Sequence, residues 1–381
     1  MDERDDINKY REKTKRKKSL TKLIVFVLVT AALIIILINW KTILAPLKDI
    51  GSRNGEGGFP INIAGSANYV MGEMGENFYL LTDTYLYTYN ENGAELSDKQ
   101  HGLQNPVCTS NDKRALVYSK NGKDLRVYSK SAEVFSKSFE DSIVFAKMGT
   151  DERSAVVTTS SRYFNYLYVL NSEGKQIFRW ASPDEKIMQV CFDEDDRSVY
   201  VSAVGEKDGT LSSSVMKFDV SGGESELWRA SIGNSVSYSL EKCPDGVYTV
   251  TPSGAFLIDD TTGDIKASNA YTREVCGIAE TDGLRVTLFR DPVSNGEIAD
   301  AYNDVLEPSA ALSLENMTAF DVSDNKLYIL RKNILTVYNA GLQAIDEYEL
   351  DDEYSNMKII GKYAYLLGYN KIQREELTEF T

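Results

Sequence analysis

Histidine is almost absent from this 381-residue chain, which has one, His101. Nucleophile–histidine catalysis would have to be built on that one residue. It lies between Gln100 and Gly102 in a loop linking two repeats, where solvent exposure is expected. Cysteine is also scarce. Cys108, Cys191, Cys243 and Cys276 lie far apart and form no C-x-x-C pair, which argues against a structural zinc site. Each falls near the first strand of a repeat, where a small buried hydrophobe fits, so buried free thiols are expected. Their even number would also permit disulfides in an exported domain. The D-x-D-x-D-G spacing of a calcium loop is missing, as is a Gly-rich loop joining a strand to a helix. The acidic runs Asp193 to Asp196, Asp259-Asp260 with Asp264, and Asp346 to Glu353 therefore read as solvated turn carboxylates. No catalytic, cofactor-binding or metal-binding residue is expected.

Charge is unevenly spread. The net charge is -15, yet residues 1–22 carry nine Lys/Arg against five Asp/Glu, which leaves -19 for the rest. An acidic body repels a phosphate backbone, so nucleic acid is not an expected partner. The basic head, with Lys13, Lys15, Arg16, Lys17, Lys18 and Lys22, precedes an uncharged run from Leu23 to Ile38 that ends at Asn39-Trp40-Lys41. From Leu20 to Trp40 the run matches the ~20 residues that cross a bilayer, and Trp40 suits the interface. A cleaved signal peptide is the rival reading, but the run is long for one and no Ala-x-Ala follows it. The expected layout is a cytoplasmic basic tail (1–22), a membrane-spanning helix (23–40) in contact with lipid, a Gly-rich linker (41–58) and an exported body (59–381). The excess of Lys/Arg before the span sets that orientation, with the chain in the cell membrane as a single-pass protein.

The body repeats. Asp245 to Asp264 reads turn, strand, turn, strand, turn, and similar segments occur on both sides of it. Taking Tyr79, Val117, Val156, Tyr200, Tyr248, Val286, Tyr328 and Tyr365 as equivalent gives steps of 38, 39, 44, 48, 38, 42 and 37 residues. A period near 40 made of strands and turns is the signature of propeller blades. Third strands run into turns such as Asn90-Glu-Asn-Gly93, Asn171-Ser-Glu-Gly174 and Asn339-Ala-Gly341. The sixth unit is the weakest, because Asp291 to Pro308 reads as an unpatterned insertion with a doubtful third strand. The last unit lacks an outer strand, while Phe59 to Ile63 is an orphan strand at the front. Pairing the two would complete a blade and remove an open edge. The expected fold is all-β, an eight-bladed β-propeller, with seven blades as the alternative.

Tyr166 to Trp180 and Val247 to Gly263 resemble the repeat of pyrroloquinoline-quinone-type propellers: a tyrosine-rich strand, an Asp/Asn-to-Gly turn and a terminal Trp, here Trp180 and Trp228. The whole layout is similar to a family of membrane-anchored propellers of Gram-positive anaerobes to which no activity is assigned. Quinone-dependent relatives use adjacent cysteines and a calcium ligand set at the pore, and this chain has no adjacent cysteines. No cofactor is expected. The first functional reading is a binding or scaffold module for a protein partner, without catalytic activity. The alternative is an exported hydrolase or a quinone- or metal-dependent oxidoreductase, which requires Asp/Glu with perturbed pKa values at one mouth of the channel.

Overall fold

The computed structural model describes residues 29–30, 57–65, 68–221, 225–281, 283–294 and 296–378. The chain divides into two compact units, residues 1–51 and 52–381. In the first, Val29 and Thr30 are described and are helical. The expected span 23–40 otherwise lies outside the described residues, as do the basic tail and most of the linker.

The second unit is eight four-stranded antiparallel sheets. A single short strand, β1 (Ile61–Asn62), comes first. Blade 1 is β2 (Val70–Met74), β3 (Asn77–Leu81), β4 (Tyr85–Tyr89) and β5 (Glu95–Gln100). Blade 2 is β6 (Pro106–Ser110), β7 (Ala115–Ser119), β8 (Asp124–Tyr128) and β9 (Glu133–Ser138). Blade 3 is β10 (Ile143–Met148), β11 (Ser154–Thr158), β12 (Asn165–Leu170) and β13 (Gln176–Ser182). Blade 4 is β14 (Glu185–Phe192), β15 (Ser198–Lys207), β16 (Thr210–Asp219) and β17 (Glu226–Ser231). Blade 5 is β18 (Ser239–Cys243), β19 (Gly246–Thr251), β20 (Gly254–Ile258) and β21 (Ile265–Ala270). Blade 6 is β22 (Val275–Thr281), β23 (Leu284–Arg290), β24 (Glu297–Tyr302) and β25 (Pro308–Leu314). Blade 7 is β26 (Ala319–Ser323), β27 (Lys326–Arg331), β28 (Ile334–Tyr338) and β29 (Ala344–Glu349). Blade 8 is β30 (Asn356–Ile360), β31 (Tyr363–Leu367) and β32 (Lys371–Glu376), completed by β1.

That completion is the expected closure. Ile61 pairs with Ile372 and Asn62 with Lys371, and the Ile63 N–H donates to the Asn370 carbonyl at 2.9 Å. Eight blades stand and seven do not. Because β1 runs antiparallel to β32, the chain enters the ring on the side that carries the turns from first to second and from third to fourth strands. We term this side the proximal face. The loops from second to third strand, and from blade to blade, form the distal face.

The turns explain why the sequence folds in this rhythm. Asn90 Oδ1 accepts the N–H groups of Asn92 and Ala94 at 3.0 and 2.9 Å. Asn171 Oδ1 does the same for Glu173 and Lys175, and Asn303 Oδ1 for Val305 and Glu307. Each side chain satisfies the backbone of a tight turn that the ladder leaves unpaired. Three of these third-to-fourth-strand turns close on a left-handed glycine, Gly93, Gly174 and Gly263, with φ near +80°. In blades 6 and 7 the left-handed position is taken by Leu306 and Leu342 (φ +59° and +54°), both buried. Gly341 is therefore not the left-handed residue of its turn.

The glycines also make room for the preceding blade. A Cβ on Gly263 would meet the Trp228 ring at 2.9 Å, one on Gly174 the Phe135 ring at 2.5 Å, and one on Gly93 the Phe59 ring at 3.0 Å. Trp228 Nε1 also donates to the Asp260 carbonyl at 3.1 Å. An outer-strand aromatic thus docks on the next blade's turn, which is the role that the terminal Trp of the repeat implies. Gly263→Ala is expected to cost about 2 kcal/mol, from the left-handed φ together with displacement of the indole, read as a shift in the urea midpoint.

Three expectations need correction. Blade 6 has an ordinary third strand, β24, paired with β23 from Arg285–Tyr302 to Arg290–Glu297. It was obscured because Asp300, a charged residue, is buried in it. The cysteines are free thiols, but their burial varies: Cys191 and Cys243 are buried, Cys108 is half-buried and Cys276 is exposed. Cys276 sits where the β22–β23 register shifts between Val275 and Gly277, and a bulge turns its side chain outward. Finally, Val117 and Val156 are not equivalent to the tyrosines in facing. Tyr79, Tyr200, Tyr248, Tyr328 and Tyr365 pack toward the following blade, whereas Val117 and Val156 pack toward the preceding one. Tyr118 and Val157 take the tyrosine position in blades 2 and 3.

Candidate functional site: the central channel

The first strands of the blades line the channel. A cavity of about 710 Å³ opens among β2, β22, β26 and β30, with Glu73, Glu280, Asp321, Asp324 and Lys358 in its wall. A second, of about 450 Å³, lies between β18 and β22, lined by Tyr238, Glu241, Lys242 and Cys243. The two share Ile278 to Thr281, so Glu280 stands where they meet.

Cations in this wall are already engaged. Lys358 Nζ lies 3.1 Å from Asp321 and 3.5 Å from Glu73, and the Asp321 carboxylate also accepts the Ile359 N–H at 2.8 Å. Burial alone would lower the Lys358 pKa, but the two carboxylates outweigh it and the net shift is upward. Lys147 Nζ is 2.8 Å from Glu241, joining blades 3 and 5 with the same balance. Behind the wall, Arg285 is 5% exposed. It reaches Asp245 at 2.8 Å and Glu280 at 3.4 Å, lies 3.5 Å from Cys243 Sγ and sits over the Tyr248 ring.

Glu280 is the unusual acid. Burial pushes its carboxyl up to about 7, and the charge of Glu241 adds to the rise while Arg285 opposes it. Between its ordinary value near 4.5 and this one, the folded ring keeps a proton that the unfolded chain has released. Stability therefore falls as pH rises from about 4.5 through 7. Glu280→Gln is expected to remove that fall. The variant should match the parent at pH 5 and exceed it at pH 8 by roughly 2–3 kcal/mol in urea unfolding.

His101 is not exposed, contrary to expectation: its exposure is 0%. Nε2 donates to the Thr82 carbonyl at 3.0 Å, and Nδ1 accepts the Leu103 N–H at 3.1 Å. Burial lowers its pKa, so a neutral imidazole pins the loop from blade 1 to blade 2. Among the acidic runs, Asp259 is the turn acceptor that was expected, half-buried and bonding the Thr261 and Thr262 N–H groups at 2.9 Å each. Asp264 accepts the Thr262 hydroxyl at 2.9 Å. Asp196 differs. Its exposure is 0%, and its carboxylate accepts the N–H groups of Thr150 and Asp151 from blade 3 at 2.9 and 2.7 Å. It is a clasp between blades, and its place in an acidic run gave no sign of this. Among the described residues, no group of three or more His, Cys, Asp or Glu converges as a metal site.

Residues 58–261, from the closing strand through the third strand of blade 5, match the family of unknown function DUF5711. The chain belongs to this family. No protein of curated function matches a DUF5711 chain of this sequence. Similarity to solved structures is similarity of fold. BamB from Moraxella catarrhalis aligns at 12% identity and a TM-score of 0.55, covering 84% of this chain and 100% of that one. Sqt1 of Saccharomyces cerevisiae aligns at 10% and 0.62, covering 85% and 100%. The WD40 domain of SCAP from fission yeast aligns at 10% and 0.54, covering 83% and 95%. These similarities place the DUF5711 ring among β-propellers by fold, and the SCAP domain among them is a WD40 domain.

Proposed function

We propose that the ring is a binding module for a protein partner, held at the outer surface of the membrane by the segment 23–40, with residues 1–22 in the cytoplasm. One observation carries the binding role. Six of the exposed large apolar side chains of the ring, Val70, Phe164, Leu211, Tyr238, Val293 and Tyr369, lie on the distal face, opposite the point where the chain enters, whereas Val305 lies on a proximal turn and Ile177, Leu227 and Ile265 lie on outer strands. Exposed apolar groups collected on one face mark an interaction site. The proximal face exposes Asp112, Asp151, Glu194, Asp304 and Asp324, which anionic lipid heads repel.

The test combines orientation with a surface change. External protease on intact cells is expected to remove the ring; protection of residues 59–381 overturns the topology. Phe164→Ser with Tyr238→Ser is expected to abolish co-purification of the partner from solubilised membranes while leaving thermal unfolding unchanged. Undiminished co-purification rejects the distal face. Glu280 supports a second reading, acid–base chemistry in the channel, and Glu280→Gln separates the two because it would leave partner binding intact.

A further inference from the structure

The interfaces between blades are not alike. Between blades 3 and 4 the buried apolar cluster has fourteen residues; between blades 5 and 6 it has six, Cys243, Tyr248, Val250, Ala255, Leu257 and Leu306. The remainder of the 5–6 interface is polar. Arg285 and its acids occupy the channel side. Further out, Arg273 pairs with Asp300, which is 5% exposed and whose other oxygen, Oδ1, has no protein hydrogen-bond partner. The Tyr248 hydroxyl, on a side chain 1% exposed, also has none, while the neighbouring Tyr271 hydroxyl pairs with Thr287 at 3.2 Å. The 450 Å³ cavity parts β18 from β22 on the channel side. Buried orphan polar atoms oppose closure and a small apolar cluster favours it weakly.

The closure between blades 8 and 1 looks different. Only two residues of β1 pair with β32, but Phe78 stacks on Tyr89 at 5.2 Å and meets Tyr365 at 4.6 Å. Phe59 covers both Phe78 and Tyr365. We propose that the ring opens at the seam between blades 5 and 6, and not at the closure where its two ends meet.

The native cysteines report on this. Cys243 lies in the 5–6 seam, where it also lines the 450 Å³ cavity, and Cys191 in the 4–5 interface, 6% and 3% exposed, so the closed ring shields Cys191 fully and leaves Cys243 an approach from the cavity alone. Alkylation of the folded protein by N-ethylmaleimide, followed by peptide mass spectrometry and normalised to the rates in denaturant, should label Cys243 at least about tenfold faster than Cys191. Replacing the pair, of which Asp300 is buried and Arg273 is 32% exposed, by Arg273→Leu with Asp300→Leu makes the seam more apolar; it should slow Cys243 by about tenfold and leave Cys191 unchanged. A Leu367→Cys reporter, placed at the closure where Leu367 is 6% exposed, should label more slowly than Cys243. Equal rates for Cys243 and Cys191 would mean that labelling follows global unfolding and would overturn the proposal. So would faster labelling of Leu367→Cys. If that variant does not fold, the Arg273→Leu, Asp300→Leu variant still decides, since an unchanged Cys243 rate there would mean labelling through the cavity of a closed ring and would overturn the proposal.

Discussion

A chain beginning at residue 64 should be less stable than one beginning at residue 57 by about 3–5 kcal/mol, and it should aggregate. The difference is the closing segment. Phe59 meets Phe78 at 6.4 Å and Tyr365 at 5.9 Å, and the Arg374 guanidinium lies 5.0 Å over its ring. Ile61 and Ile63 pack against the same cluster. A fully buried side chain of this size stabilises by about 1.5–3 kcal/mol, and these three are partly buried, which gives the figure above. The aggregation has a separate cause. Without β1 the backbone groups of β32 face solvent as an unpaired edge, a template for another chain. Urea unfolding and light scattering of the two chains measure the two effects. Equal midpoints and equal solubility would show that the ring does not depend on its closing strand.

Much of this closure was legible in the sequence, because it rests on local patterns. Eight apolar runs at a period near 40, and an unmatched strand at each end, are enough to count blades. Turn chemistry was legible for the same reason, since Asn90, Asn171 and Asp259 each act on backbone within four residues. What stayed hidden depends on contacts between blades. The facing of a strand flips with a slip of one residue, so aligning Val117 and Val156 with the tyrosines placed them on the wrong side. In blade 2 an extra pair, Asn111 with Arg114, continues the hairpin beyond the strand ends, and blade 3 does the same with Gly149 and Arg153. Asp196 looked like its exposed neighbours Glu194 and Asp195 because nothing local distinguishes it; its partners, Thr150 and Asp151, are over forty residues away. Burial of His101 and the rise of Glu280 are likewise properties of packed neighbours, and no spacing rule reports them.

Arg285→Met should cost about 3 kcal/mol at pH 8 and distinctly less at pH 6. Removing one member of a buried charged group leaves the others uncompensated, whereas removing both members together is often tolerated. The groups around Arg285 differ in how they bear its loss. Asp245 has a side chain 39% exposed and regains water, while Glu280, at 11%, does not. At pH 6 Glu280 is largely protonated, since burial and Glu241 hold its carboxyl at about 7, and a neutral acid has little need of the guanidinium. At pH 8 it is ionised, and Arg285 is the cation within reach, Lys242 being turned to Glu194 and Asp260. Loss of Arg285 then raises the Glu280 pKa further, and the proton uptake appears as destabilisation that grows with pH. The double variant Arg285→Met with Glu280→Gln has no buried charge to strand, so it should be more stable at pH 8 than Arg285→Met alone. Urea midpoints for the two single variants, the double and the parent at both pH values complete a thermodynamic cycle. A cost for Arg285→Met that is independent of pH, or a double variant no better than the single, would show that Arg285 holds blades 5 and 6 together through Asp245 and Tyr248, and that Glu280 plays no part in it.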